Sequence, residues 1–246
     1  MTRGTDHRRR LGAVLHLRHY RALWGIVRVF GSPVDALRRY VGSGGQYPWT
    51  ATLRTPLGPV TVTLPSSHDV RTVNEIFCRG DYGRDGPRVV VDIGANIGIS
   101  ALFFLTRRPD SVVHAYEPVG SNVETLRVNL APFEGRWHLS QQAVAEQSGE
   151  ATFLTEPVGR YGGLAAHMAA RPGHTAITVE CVAIADVLEG VVAQEGRIDL
   201  VKIDTEGSEE ALVAAIPERL WPHIGRVVFE SADGSVRSMR GSSSLA

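Results

Sequence analysis

The run Val89-Val90-Val91-Asp92-Ile93-Gly94-Ala95-Asn96-Ile97-Gly98-Ile99-Ser100 constrains this chain more than any other stretch. Its β-branched start suits a strand buried on both faces, as in a parallel sheet. An acid then closes the strand, and Gly94 and Gly98 bracket a tight turn. Residues 99–105 read as the start of a helix. Strand, glycine turn and helix together make the nucleotide-binding unit of open α/β sheets. Glycine lets the backbone approach a ligand, and the helix start offers N–H groups.

The spacing separates two kinds of ligand. The dinucleotide fingerprint is G-x-G-x-x-G, with its third glycine inside the helix. Here the pattern is Asp92-x-Gly94-x-x-x-Gly98, with an acid before the turn. That resembles motif I of the class I S-adenosylmethionine-dependent methyltransferases. The resemblance implies that Asp92, Gly94, Asn96 and Gly98 hold the methionine part of S-adenosyl-L-methionine. It also calls for a second acid at the end of the next strand. Glu117 supplies it, after the apolar residues Val112 and Val113 and just before Pro118. A carboxylate there can accept hydrogen bonds from both ribose hydroxyls. A third strand is expected over 137–144. By the same resemblance, Gln142 and Ala143 fall where class I enzymes contact the adenine edge.

A second run, Ile198-Asp199-Leu200-Val201-Lys202-Ile203-Asp204-Thr205-Glu206-Gly207-Ser208-Glu209, reads as a strand ending in acids and a helix opening at Gly207. Together with the Asp92 turn, Glu117-Pro118 and Asn74-Glu75-Ile76-Phe77, it resembles the FkbM family of methyltransferases over roughly residues 50–232. The expected fold is α/β. It is a Rossmann-like class I methyltransferase sheet, mostly parallel, with helices on both faces, preceded by N-terminal helices and a β-hairpin. The last clear strand is expected over 226–230. The short Ser-, Gly- and Arg-rich remainder leads us to expect that the family's usual final hairpin is missing, which would leave an open sheet edge.

The implied reaction is O-methylation of a hydroxyl on a sugar, glycolipid or natural product. Asp204 and Glu206 are the candidate catalytic residues, following a strand expected beside the Asp92 strand. Either can orient or deprotonate a hydroxyl, and clustered carboxylates raise one another's pKa. Alternatives stay open. The two could share a divalent ion, although no metal site is assigned. Glu206 could instead cap the helix start. His167 and His174, in a glycine-rich loop expected over 156–174, are further base candidates. Glu75 and Tyr82 could face the pocket or lie on the surface. A degenerate methyltransferase fold serving as a binding or scaffold protein is the second reading. A nicotinamide-dependent enzyme is the third, and the absent third glycine disfavours it.

The division expected from composition is 1–45, a basic helical arm and linker; 46–87, a β-hairpin plus helix; 88–232, the cofactor-binding domain; and 233–246, a flexible tail. Formal net charge is zero, so nothing global argues for nucleic acid. The distribution is uneven: residues 1–40 carry nine Arg against Asp6 and Asp35, about +7 in the arm and about −7 elsewhere. Residues 1–10 are expected to be disordered. Residues 11–30 place Leu11, Val14, Leu15, Leu23, Ile26, Val27 and Phe30 at helical spacing, and Ser32-Pro33 starts a second helix. We expect the arm to pack on the domain or to solvate its Arg face. Peripheral membrane contact is the alternative. Cys78 and Cys181 form no metal spacing and read as free thiols. No run of roughly 20 apolar residues is present, and no cleavable leader is expected. The expected compartment is the cytoplasm, and the expected partner a small-molecule hydroxyl acceptor.

Overall fold

The structure, a computed structural model, describes residues 17–42, 44–83, 85–156, 162–168, 170, 172–231 and 236–240. The chain divides into two units, Met1–Gly83 and Arg84–Ala246.

The first unit opens with α1 (Leu17–Val29) and α2 (Pro33–Gly42). The expected helix positions Leu11, Val14 and Leu15 lie outside the described residues. Next come β1 (Trp49–Thr55) and β2 (Gly58–Leu64), an antiparallel pair in which Thr55 faces Gly58 across the two-residue link Pro56-Leu57. Leu53, Val62 and Leu64 turn one face of the hairpin inward. Then α3 (Ser67–Val73) begins with a capping box between Ser66 and Asp69 and runs into a π-helical turn over Asn74–Arg79. The reciprocal bonds satisfy two amide donors that a helix start leaves open. Glu75 pairs with Arg79 within this unit, Oε1 to Nη1 at 3.4 Å.

The second unit is built on a six-stranded sheet: β3 (Val89–Ile93), β4 (Val112–Tyr116), β5 (Trp137–Ser140), β10 (Ile198–Ile203), β11 (Ile224–Glu230) and β12 (Val236–Arg240). Their order is β12-β11-β10-β3-β4-β5. All neighbours are parallel except β11 and β12. Helices α4 (Ile99–Leu105), α5 (Gly120–Leu130), α6 (Ile184–Glu195) and α7 (Glu209–Ala214) complete this α/β unit. Every residue of β3 is buried, Asp92 included, as suits the Val-Val-Val start of a central parallel strand. Val89, Val91 and Ile93 join α6 and α7 in one core, with Leu188 and Leu212 among their neighbours. Residues of α4 are buried on every side, which suits its run of Leu and Phe.

The order has a functional consequence. The chain moves from β3 outward to β4 and β5, then returns to place β10 on the other side of β3. Ligands of open α/β sheets bind at the carboxyl ends of strands beside such a switch. Asp92 and Asp204 therefore meet there.

Three expectations are corrected. The strand expected over 137–144 is two strands. β5 ends at Ser140, and β6 (Ala143–Ala145) leaves for a second sheet, where it pairs with β9 (Thr175–Ala183). The polar pair Gln141-Gln142 marks the departure. The loop expected over 156–174 is not structureless: β7 (Gly149–Thr155) pairs with β8 (Gly162–Leu164). Gly159 and Tyr161 of that loop fall outside the described residues. Finally, the sheet does not stop at β11. Val236–Arg240 adds an antiparallel edge strand, with Phe229 opposite Arg237, so one strand of the expected missing hairpin is present. The tail beyond 240 is outside the described residues. No helix of the described residues is long and apolar enough to cross a membrane.

Candidate active site

Register brings the first charged pair together. Lys202 lies directly beside Asp92 on the neighbouring parallel strand, and Asp204 follows two positions later on the same face. Lys202 Nζ is 3.0 Å from Asp92 Oδ1 and 3.4 Å from Asp204 Oδ2, and it donates to the Gly94 carbonyl at 2.8 Å. Asp92 is fully buried, and its second oxygen accepts from Ser100 Oγ at 2.6 Å. Burial opposes the lysine charge, but Asp92 and Asp204 outweigh it and raise the Lys202 pKa. Asp92 and Asp204 thus share one ammonium.

The glycine turn is closed on itself. Gly94 and Ala95 N–H both donate to the Tyr116 carbonyl, and Gly98 N–H to that of Ala95. Asn96 N–H donates to Glu117 Oε2 at 2.9 Å, and Ile97 N–H to Asn96 Oδ1 at 2.7 Å. Every amide from Gly94 to Gly98 is thereby spent inside the protein, and the N–H groups expected of the helix start belong to the residues from Ile99 on. A pyrophosphate needs such donors. Gly94 has φ of 74°, and a Cβ there would collide with the Asp204 carbonyl oxygen. The residue is glycine because the two strand tips cross at that point.

Glu117 ties the turn to the next helix. Its Oε1 accepts from Val119 N–H at 3.0 Å and from Asn122 Nδ2 at 3.1 Å, besides the bond from Asn96. Glu117 therefore serves the start of α5. Burial pushes its pKa up despite these bonds. A carboxylate has about four acceptor positions, so about one remains for a ligand.

The tip after β10 is held by a residue the sequence reading passed over. Glu209 Oε1 accepts from Thr205 N–H at 2.8 Å and Oε2 from Gly207 N–H at 2.9 Å. Glu209 thus performs the capping considered for Glu206, and α7 begins at Glu209 rather than at Gly207. Glu206 is exposed and left-handed, with φ of 58°. A non-glycine residue in that region carries strain of the kind concentrated at functional sites. Gly207 admits the turn after β8, since a Cβ there would lie 2.9 Å from the His167 carbonyl oxygen. His167 Nε2 is 3.3 Å from Glu146 Oε1. His174 is half-buried and precedes β9.

At the far edge, Gln142 is half-buried beyond β5 and accepts from Ser140 Oγ at 2.6 Å, while Ala143 is buried in β6. The described residues contain no group of three or more His, Cys, Asp or Glu side chains able to hold a metal ion. Lys202, Ser100, Asn122 and Glu209 are the site residues that sequence reasoning did not assign. Lys202 had a signal: it is the chain's sole lysine, set in an apolar strand.

The parallel sheet with its switch point, glycine turn and acid-tipped strands is a Rossmann-like methyltransferase fold. The family model described as "Methyltransferase FkbM domain" matches residues 92–232, and the chain belongs to that family. It is 30% identical to 31-O-demethyl-FK506 methyltransferase FkbM of Streptomyces tacrolimicus, over 74% of this chain and 82% of the relative. It is 25% identical to methyltransferase sdnD of Sordaria araneosa, over 59% of this chain and 67% of that one. It also matches 10% of the AMB antimetabolite synthetase AmbE of Pseudomonas aeruginosa, at 26% identity over 70% of this chain. Among solved structures, precorrin-6y C5,15-methyltransferase of Geobacter metallireducens GS-15 aligns at 17% identity and a TM-score of 0.33, over 61% of this chain. This chain spans 57% of that protein.

Proposed function

We propose that this chain is an S-adenosylmethionine-dependent methyltransferase acting on a hydroxyl of a sugar, glycolipid or other natural product. One observation carries the reading: three carboxylates, Asp92, Glu117 and Asp204, stand against one ammonium, Lys202, around a turn whose amides are all spent. Those acceptors support a cationic ligand, and the absent third glycine of the turn disfavours a dinucleotide. When bound, S-adenosylmethionine supplies a methyl group activated by a sulfonium.

The chain's own residues divide the remaining work. Asp92 acts through Lys202 and Ser100, fixing the floor formed by Gly94, Asn96 and Gly98. Glu117 offers its remaining acceptor position to a ribose hydroxyl. Gln142 and Ala143 border the adenine. Asp204 takes the proton that the acceptor oxygen loses as its bond to the methyl carbon forms. Glu206, on the exposed tip, orients the acceptor. Alignment of reactants is worth about 7–11 kcal/mol of barrier, and a positioned base roughly 10²–10⁴-fold in rate. The relative named for 31-O-demethyl-FK506 supports oxygen as the methylated atom. β12 supplies one of the two strands whose expected absence motivated the scaffold reading, which supports the enzyme over the scaffold.

The test is calorimetric titration with S-adenosylmethionine and NADH, followed by labelled-methyl transfer to extracts of the producing cell and identification of the product. We expect binding of the sulfonium alone and label on an oxygen. Binding without transfer to any hydroxyl would restore the scaffold reading.

A further inference from the structure

The two N-terminal helices are apolar on the wrong side as well as the right one. α1 turns Ile26 inward and sets Gly25 against Cys78; α2 buries Ala36. Yet Leu23, Trp24 and Val27 on α1, and Val34, Leu37 and Val41 on α2, are exposed, Trp24 to 64% and Val41 to 72%. Positions 23, 24 and 27 lie on one stripe of a helix, and so do 34, 37 and 41. A helix of a soluble domain places polar residues on its outer face. Six large apolar side chains within residues 23–41 therefore mark a docking face.

Charge selects the occupant. Residues 1–40 hold nine Arg and two Asp, while the rest of the chain is about −7. Arg28 and Arg38 are exposed one turn after Trp24 and Val34. A second copy docked face to face would oppose about +7 to about +7. Docked arm to body, it would form a heterologous contact that leaves another arm open at each addition. Nucleic acid matches the charge but offers nothing to the apolar stripes. An anionic lipid surface satisfies both, since Arg meets the headgroups while Trp and aliphatic side chains enter the interface.

We propose that the exposed stripes of α1 and α2, with their arginines, dock this chain on an anionic lipid surface. The proposal is independent of the acceptor and of the methyl donor.

The experiment is co-sedimentation of the full chain with vesicles of phosphatidylcholine alone or with about 30% phosphatidylglycerol. We expect at least about tenfold tighter binding to the anionic vesicles, and loss of that gain in high salt. Trp24→Ser/Leu37→Ser/Val41→Ser and, separately, Arg28→Glu/Arg38→Glu should each weaken binding by about tenfold or more. Both sets change exposed positions, and unaltered thermal unfolding will verify that the variants are folded. Equal binding to both vesicles, or variants that bind like the parent, would overturn the proposal. So would a dimer, seen by light scattering, that the apolar variant abolishes while vesicle binding is absent.

Discussion

Lys202 Nζ lies 3.0 Å from Asp92 Oδ1, with both side chains sealed from solvent at the centre of the sheet. Breaking such a pair from one side strands the other charge. Lys202→Met should cost about 3–5 kcal/mol of stability. Urea denaturation measures it. The double variant Asp92→Asn/Lys202→Met should lose less than the sum of the single losses, because the residues act as one unit.

Gly94 is where the two strand tips cross. Gly94→Ala must place a Cβ against the Asp204 carbonyl while keeping φ near 74°. The left-handed backbone alone costs a β-carbon residue about 1–2 kcal/mol. We expect methyl-donor affinity to fall at least about tenfold, since both tips must move. Calorimetry at matched folded fraction checks this, and unchanged affinity would remove the turn from the site.

Asp204 should separate chemistry from binding. Asp204→Asn keeps a similar shape but cannot accept the proton. Turnover should drop by roughly 10²-fold or more with a smaller change in donor affinity. A loss confined to affinity would make Asp204 a cofactor ligand only.

Glu117 links stability to pH. Burial raises its folded pKa above the ordinary carboxylate value. The folded state therefore holds this proton more tightly, and its contribution is complete below the ordinary pKa. It is lost as pH rises through the raised one. Relative to Glu117→Gln, the parent should lose stability as pH increases across that window. Denaturation midpoints of both proteins at several pH values test the sign. Donor affinity should move the opposite way, because the ionised carboxylate is the better acceptor.

Cys78 should be inert. Burial pushes its thiol up to about 12, and Cys181 is raised by the same cause. At mildly alkaline pH, Cys78 holds on the order of a thousandfold less thiolate than an ordinary cysteine. Native protein should resist iodoacetamide at both positions, and denatured protein should not, as peptide mass mapping will reveal.

Much of this was legible because β3 and β10 are mostly apolar strands with acids at or just beyond their tips, and central parallel strands are rich in such residues. The hairpin of β1 and β2 announced itself by alternation around Pro56-Leu57. What stayed hidden was choice of neighbour. Nothing in residues 137–144 says that the chain changes sheets at Gln142, because a strand's period does not name its partner. The role of Glu117 at the start of α5 was hidden too, because it reaches from the strand tip to Val119 and Asn122. Glu209 was invisible for the same reason: an acid in a first turn is ordinary, and only the fold bends the preceding amides onto it. That Lys202 stands between Asp92 and Asp204 was equally hidden, because register, not composition, set it there.

The outermost strand, β12, bears on how this molecule behaves in company. An unguarded margin of a sheet invites a neighbouring chain to stitch itself on, amide by amide. Arg237 and Arg240 lie on this one, so an identical strand arriving there would bring its own guanidinium groups toward theirs. The fold thereby carries its own discouragement against fibre growth.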